Sequence, residues 1–266
     1  MKTEIREIRP EDRQALIALW HRVFEDPEEL AAAFLELLPD LGSGVAAFAD
    51  GILVGAAYIV TALTVGQKRA AYLYAVAVAP GYRGLGLGGK LSRRAAALGR
   101  ERGADFVCTL PASASLYGWY EGLIGTRCVL YRREETLPAR SGPTVSVLSP
   151  GDYHARREAL LEGAEHMTLS PAAAVYESVN CRCFGGDLYA VGNGIAAAYR
   201  ENGHAVIREL LCPDASQRRI CAAAVADAMG CAHALLFSPG GTEDLPFLAA
   251  EPGAIPPDCV WNLAFD

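Results

Sequence analysis

The sequence predicts an α/β (α+β) protein made of two consecutive, related domains. Three observations lead there. The chain has 266 residues, 52% of them hydrophobic and 21% charged, which is ample for packed cores and longer than a minimal domain needs. Segments with apolar residues at helical spacing alternate with runs rich in β-branched and aromatic residues. The same order of elements then returns beyond Glu134–Pro143, a stretch with two prolines and a Ser-Gly pair that reads as a linker. The expected domains are 1–135 and 144–266.

In the first half, Leu16, Leu19, Trp20, Val23 and Phe24 have helical spacing within 10–24. A second helix follows Asp26-Pro27, with Asp26 as N-cap, Pro27 at the first helical position, and Leu30, Phe34 and Leu37 on one face. Segments 45–49 and 52–63 flank Asp50-Gly51, a dipeptide that tolerates the positive φ angles of a tight hairpin turn. Tyr72 to Val78 reads as a buried strand, Gly81 to Gly89 as a glycine-rich loop, and Lys90 to Arg102 as a helix with Leu91, Ala95 and Leu98 inward. A strand at 106–110, a short helix at 115–123 and a strand at 127–131 complete this half. In the second half, strands are expected at 144–148, 204–211, 234–237 and 260–265, and helices at 152–162, 172–180 and 216–229. Asn193-Gly194 marks a further hairpin.

Composition narrows the function. No uncharged run reaches the roughly 20 residues of a spanning helix, and the first residues carry no apolar signal core, so a cytoplasmic protein with no membrane partner is expected. Eight cysteines without an export signal suit reduced thiols. Cys181-Arg182-Cys183 lacks the further ligands of a zinc site, so no metal is expected. The net charge is −7, yet residues 83–102 hold Arg83, Lys90, Arg93, Arg94, Arg100 and Arg102 against Glu101 alone. Such a patch in an acidic chain is a candidate anion site. One short patch does not make a nucleic-acid surface.

Beside that patch runs Val76-Ala77-Val78-Ala79-Pro80-Gly81-Tyr82-Arg83-Gly84-Leu85-Gly86-Leu87-Gly88-Gly89. A strand that ends in a glycine loop and leads into a helix directs unpaired amides and the positive end of a helix dipole at one point, where a phosphate can approach closely. The spacing is wrong for a dinucleotide fingerprint, because the glycines run 84, 86, 88 and the next strand ends without a carboxylate. Gly89-Lys90-Leu91 lacks the Ser or Thr of a Walker A loop.

Strand, Val-x-Pro-x-x-Arg-Gly-x-Gly-x-Gly and helix together resemble motif A of the GNAT superfamily of acyl-CoA N-acyltransferases. Ser115 to Leu123, which holds Leu116-Tyr117-Gly118-Trp119-Tyr120-Glu121-Gly122-Leu123, resembles its motif B, although Ile124-Gly125 replaces the usual Gly-Phe. The resemblance covers residues 1–133 and implies the GNAT fold, a mixed central sheet flanked by helices. It further implies acetyl-CoA as cosubstrate and transfer of its acetyl group to a primary amine, on a small molecule or a peptide, by direct attack. The amides of Arg83, Gly84, Leu85, Gly86, Leu87, Gly88 and Gly89 would hold the pyrophosphate. The edge of Val76, Ala77 and Val78 would pair with pantetheine. A β-bulge there would turn the N–H of Val78 or Ala77 toward the thioester carbonyl. Arg93 or Arg94 would reach the adenosine end.

The resemblance makes Tyr120 the general acid that protonates the departing thiolate, with Tyr117, three residues earlier on the same helix face, as the alternative. A covalent cysteine intermediate is not implied, and Cys108 reads as a core thiol. Asp26, with Glu25, Glu28 and Glu29 around the helix junction, and Tyr72 and Tyr74 are the acceptor-side candidates. No glycine occurs from Leu210 to Met229, so the second half is expected to be a degenerate GNAT-like domain without a cofactor cradle. Two other functions fit the same motifs: a non-catalytic acyl-CoA-binding regulator, and a transferase of a different acyl donor.

Overall fold

The computed structural model describes residues 2–263. The chain forms two compact units, Met1–Val129 with Phe247–Pro257, and Leu130–Pro246 with Asp258–Asp266. Among the described residues no helix is long and apolar enough to cross a membrane.

In the first unit, β1 (Thr3–Glu7) leads through a 3-10 turn at Pro10–Asp12 into α1 (Arg13–Phe24) and α2 (Glu28–Leu41). Then come β2 (Gly42–Ala49), β3 (Ile52–Val65) and β4 (Lys68–Val78), α3 (Leu87–Glu101), β5 (Phe106–Thr109) and α4 (Ala114–Ile124). Strands β1 to β4 form an antiparallel meander, and α3 crosses over to bring β5 parallel to β4. At the β2–β3 turn Asp50 and Gly51 have φ of 48° and 85°, the pair of positive angles that favours this dipeptide. Strand alternation sends Ile59, Ala71 and Leu73 toward α3, where Leu87, Leu91, Ala95 and Leu98 complete one core. The opposite face turns Tyr58, Tyr72 and Tyr74 toward α1 and α2.

The helix junction departs from expectation. Glu25 takes a left-handed conformation, φ 64°, and ends α1 with its N–H on the His21 carbonyl. Pro27, not Asp26, is the N-cap of α2. That turn frees the Asp26 carboxylate from capping, and it accepts a hydrogen bond of 2.8 Å from the Trp20 indole.

The expected linker is also corrected. Strand β6 (Arg127–Pro138) runs through its first half, because residues 131–138 pair antiparallel with a later strand. The second unit continues with β7 (Val145–Val147), α5 (Pro150–Leu160), β8 (Met167–Leu169), α6 (Pro171–Cys183), β9 (Asp187–Val191), β10 (Gly194–Glu201) and β11 (His204–Leu211). It ends with α7 (Arg218–Ala228), β12 (His233–Gly240) and β13 (Leu245–Ala250). Helices α5 and α6 each begin with a Ser N-cap and a Pro: Ser149 accepts from the Asp152 N–H and Ser170 from the Ala173 N–H. The strand order is β7-β9-β10-β11-β12-β6, with β11 and β12 parallel. Strand, two helices, three antiparallel strands, helix and parallel strand thus occur in both units. The end of β13 belongs to the first unit, where Ala249 and Ala250 pair with Thr109 and Cys108. Of the strand expected at 260–265, Val260 forms a parallel bridge to His166, and Phe265 lies outside the described residues.

Candidate active site

The site begins where two parallel strands part. β4 and β5 pair from Ala70 with Phe106 to Leu73 with Thr109, and no farther. The Thr109 hydroxyl donates to the Leu73 carbonyl at 3.0 Å and pins the last rung. Beyond it β4 bulges. Tyr58 faces Tyr74 but Ala56 faces Ala77, so Ala75 and Val76 share the place opposite Ala57. Ala75 carries the irregularity with φ 45°, a conformation that costs a non-glycine residue roughly 1–2 kcal/mol. The Ala79 N–H bonds the Val54 carbonyl at 2.9 Å, and this bond fixes the alternation of the ladder. Ala77 therefore points its amide at β3, whereas Val76 and Val78 turn theirs to the open edge. Of the two amides expected at the thioester, the ladder leaves Val78.

At the end of that edge a 3-10 turn, Pro80–Tyr82, leads to Arg83, whose side chain donates to the Val78 carbonyl at 3.2 Å. The Arg83 N–H is engaged by the Pro80 carbonyl at 3.3 Å. From Gly84 to Gly89 no amide has a hydrogen-bond partner among the described residues; ladder bonding resumes with Lys90 on the Gly86 carbonyl at 3.2 Å. Gly84 and Gly86 have φ of 78° and 72°, and Gly86 is the N-cap of α3. A Cβ at either would meet nothing within 4 Å, so it is the backbone angle that calls for glycine. Leu85 is exposed, while Leu87 is buried in the core.

The basic patch divides along α3. Arg94 pairs with Glu101 at 3.0 Å and approaches Glu7, Arg102 pairs with Glu7 at 2.7 Å, and Arg100 pairs with Glu251. Arg83, Lys90 and Arg93 have no carboxylate partner among the described residues. The Arg93 guanidinium lies 3.8 Å from where a Gly89 Cβ would stand. Of the two arginines expected at the adenosine end, Arg93 stands beside the loop and Arg94 is committed to glutamates.

On α4, Tyr120 is 7% exposed, packs in the core with Leu87 and Leu91, and meets the Trp119 ring edge-on at 4.7 Å between centroids. Burial pushes its hydroxyl up to about 12, and no described residue hydrogen-bonds that hydroxyl. The Tyr117 hydroxyl is sealed from solvent. Cys108 is fully buried on β5, and burial followed by the charge of Glu251 holds its thiol well above the usual range, the opposite of what a nucleophile needs.

On the other face of the sheet the acceptor-side candidates come together. Trp20 lies 5.6 Å from Tyr74, 5.6 Å from Tyr58 and 5.4 Å from Phe34 between ring centroids, and Tyr72 lies 6.2 Å from Tyr74. Asp26 is fixed at the rim of this aromatic group by the Trp20 indole. Trp20, Phe34 and Tyr58 were not among the sequence candidates; their helical and strand spacing identifies them only as core residues. Glu25, Glu28 and Glu29 are exposed at the same junction.

The second unit repeats the bulge and loses the cradle. Ala197 faces Glu209 and Ala198 faces Ile207, which leaves Arg208 as the extra residue. In place of the glycine loop, the Asp214 carboxylate accepts the Ser216 N–H at 2.9 Å and its carbonyl accepts the Gln217 N–H. Asp214 thus engages two amides there, one through its carboxylate and one through its carbonyl. Where the first unit has its aromatic group, the second has buried ions: Glu209 accepts from Tyr153 at 2.6 Å and from Arg157 at 2.9 Å, and Glu177 pairs with Arg208 at 2.8 Å. Among the described residues no three His, Cys, Asp or Glu side chains are grouped as a metal requires.

Residues 4–121 match the family of acetyltransferase (GNAT) domains. No curated protein matches the chain. Among solved structures it is similar to a probable N-acyltransferase from Enterococcus faecalis V583, with 14% identity over 94% of this chain and 72% of that one and a TM-score of 0.69. A GCN5-related N-acetyltransferase from Kribbella flavida gives 20% identity over 94% and 70%, with a TM-score of 0.67. One from Anabaena variabilis ATCC 29413 gives 15% over 94% and 72%, with a TM-score of 0.63. At these identities the likeness is one of fold, and it extends over both units.

Proposed function

Residues 4–121 belong to the family of GNAT acetyltransferase domains, and from that premise we propose that the chain is an acyltransferase that transfers an acetyl group from acetyl-CoA to a primary amine of a small molecule or peptide. The observation that carries this reading is the run of unpartnered amides from Gly84 to Gly89, set at the end of the open edge of β4. Backbone donors at a helix N-terminus suit a pyrophosphate, and Arg83 and Arg93 add positive charge beside them. The open edge offers Val76 and Val78 to an amide-bearing chain as a strand would.

Acetyl-CoA supplies the thioester. The Val78 N–H then stands to bond the carbonyl oxygen as it gains charge. Tyr74, half-buried against the buried Trp20 and Tyr72, presents ring surface to the acceptor, and Asp26 presents a carboxylate to a cationic amine. Attack by the neutral amine forms the C–N bond and breaks the C–S bond; the amine's surplus proton is released, and Tyr120 donates a proton to the departing sulfur. The second unit, which has no glycine loop and whose Ser216 and Gln217 amides are engaged by Asp214, takes no CoA and acts on the acceptor side or in support of the fold.

The test is release of free thiol from acetyl-CoA by the full chain against a panel of primary amines, with acetylated product identified by mass. Amine-dependent thiol release is the expected result. CoA binding with no turnover on any amine would point to a regulator, and turnover confined to longer acyl-CoAs would assign a different donor.

A further inference from the structure

The hairpin of α1 and α2 has two ends. One carries the aromatic group of Trp20 and Phe34. The other borders a cavity of about 360 Å³ lined by the start of α1, the end of α2, the ends of β1 and β2, and Arg102 at the C-cap of α3. The glycine loop caps the N-terminus of that same 15-residue helix, so cavity and loop stand about 22 Å apart along its axis. This volume is within the range of roughly 300–1,000 Å³ that serves small ligands.

The lining combines two chemistries. Leu16, Leu35 and Leu38 give it an apolar wall, and Arg9, Arg13 and Arg102 give it positive charge against Glu7 alone. Glu7 is already bound to Arg102 at 2.7 Å. Arg13 is steadied by a bond of 3.0 Å to the Ala32 carbonyl across the helical hairpin and has no carboxylate partner among the described residues. Its planar fork is therefore positioned with donors to spare. Arg9 has only Glu11, at 3.9 Å and fully on the surface. Ser43, also in the lining, has a buried hydroxyl without a hydrogen-bond partner, an arrangement that folded proteins seldom leave unfilled.

We propose that this cavity is a second binding site, for a small organic anion with an apolar body, of the aryl- or alkyl-carboxylate class. The carboxylate meets Arg13 and Arg9, and the body lies on Leu35 and Pro39, the accessible apolar part of the lining. A neutral apolar molecule leaves the guanidinium groups unused, and a bare inorganic anion leaves Leu35 and Pro39 wet. The site shares α1 and α2 with the aromatic group without overlapping it, because Arg13 and Leu16 precede Trp20 on α1 and Leu38 follows Phe34 on α2.

The experiment is calorimetric titration of the full chain with 4-phenylbutyrate, its neutral carboxamide and inorganic phosphate, each with and without saturating CoA. The expected result is one phenylbutyrate per chain whether or not CoA is present, with the carboxamide and phosphate each bound at least tenfold more weakly. Arg13→Ala and Arg9→Ala, both at exposed positions, should each weaken phenylbutyrate by about tenfold, the loss of one charge-assisted contact, with unchanged melting temperature. Equal affinity for the carboxamide would overturn the anion assignment. No heat at millimolar ligand would overturn the site. Competition by CoA, or loss on Gly86→Val but not on Arg13→Ala, would place the anion in the glycine loop instead.

Discussion

Replacing Gly86 by valine separates what the glycine loop does for folding from what it does for binding. Gly86 sits at φ 72°, where an L-residue is disfavoured by roughly 1–2 kcal/mol, more for a β-branched one. A Cβ there meets no protein atom within 4 Å, so no packing term adds to the strain, and thermal unfolding should fall by only a few degrees. Binding should suffer far more, since the side chain would stand in the path of a group approaching the amides of Gly84 to Gly89. Loss of two charge-assisted bonds, each worth about 1.5–3 kcal/mol, corresponds to roughly 10²–10⁴-fold in CoA affinity. Gly81→Ala is the companion, because Gly81 lacks a positive φ and its Cβ also has open space; it should fold as well as the parent. The assay pairs a denaturant melt with CoA titration on each variant. A folded Gly86→Val protein that binds CoA within threefold of the parent would refute the cradle.

Three further outcomes follow from the same geometry. Tyr120→Phe should lower turnover by roughly 10²–10⁴-fold with little change in CoA affinity, while Tyr117→Phe stays near the parent. Because burial pushes Tyr120 up to about 12, its phenol stays protonated through the working range and gives no basic decline in kcat below about pH 11. A decline near neutrality that Tyr120→Phe abolishes would contradict this role. Calorimetry should find one CoA per chain, since the second unit has no glycine loop and Asp214 engages its Ser216 and Gln217 amides, and two would show a working second cradle. Glu209→Gln removes the charge opposite the wholly buried Arg157 and should destabilise the second unit by about 3–5 kcal/mol in a urea melt; a loss below about 1 kcal/mol would mean that water reaches the arginine.

The helices and the glycine loop were legible in the sequence because their signals are local. Apolar spacing marks α1 and α3, and Gly84 and Gly86 mark a loop whose backbone turns left-handed, while Gly88 already stands in the first turn of α3. The bulge was expected, but not its position. Ala75 is an alanine in a conformation that sequence gives no reason to assign to it, and it is tertiary pairing on either side that holds it there. Asp26 read as a cap because it precedes a proline; the left-handed Glu25 sends it to Trp20 instead. β1 was missed because its Thr-Glu-Ile-Arg-Glu strand is mostly polar, and β13 because its partner β5 is far away in sequence. The pairing of Arg94, Arg100 and Arg102 with Glu101, Glu251 and Glu7 reduced a patch of six cations to the three nearest the loop. Charge counted along a chain cannot see partners that arrive from other strands.

Strand β5 has β4 on one side from early in the chain, but its other neighbour arrives only after residues 130–246 have been made. During synthesis, therefore, the first unit emerges with an unfinished sheet whose edge at Cys108 and Thr109 awaits Ala249 and Ala250. Its completion waits until residues 247–250 have been made, and a ribosome-bound chain stalled before Phe247 carries that edge open to chaperones and to other nascent chains. The same threading means that a cut at residue 135 does not release a finished first unit. Linking the segment 247–257 back onto such a fragment would be the way to obtain it whole.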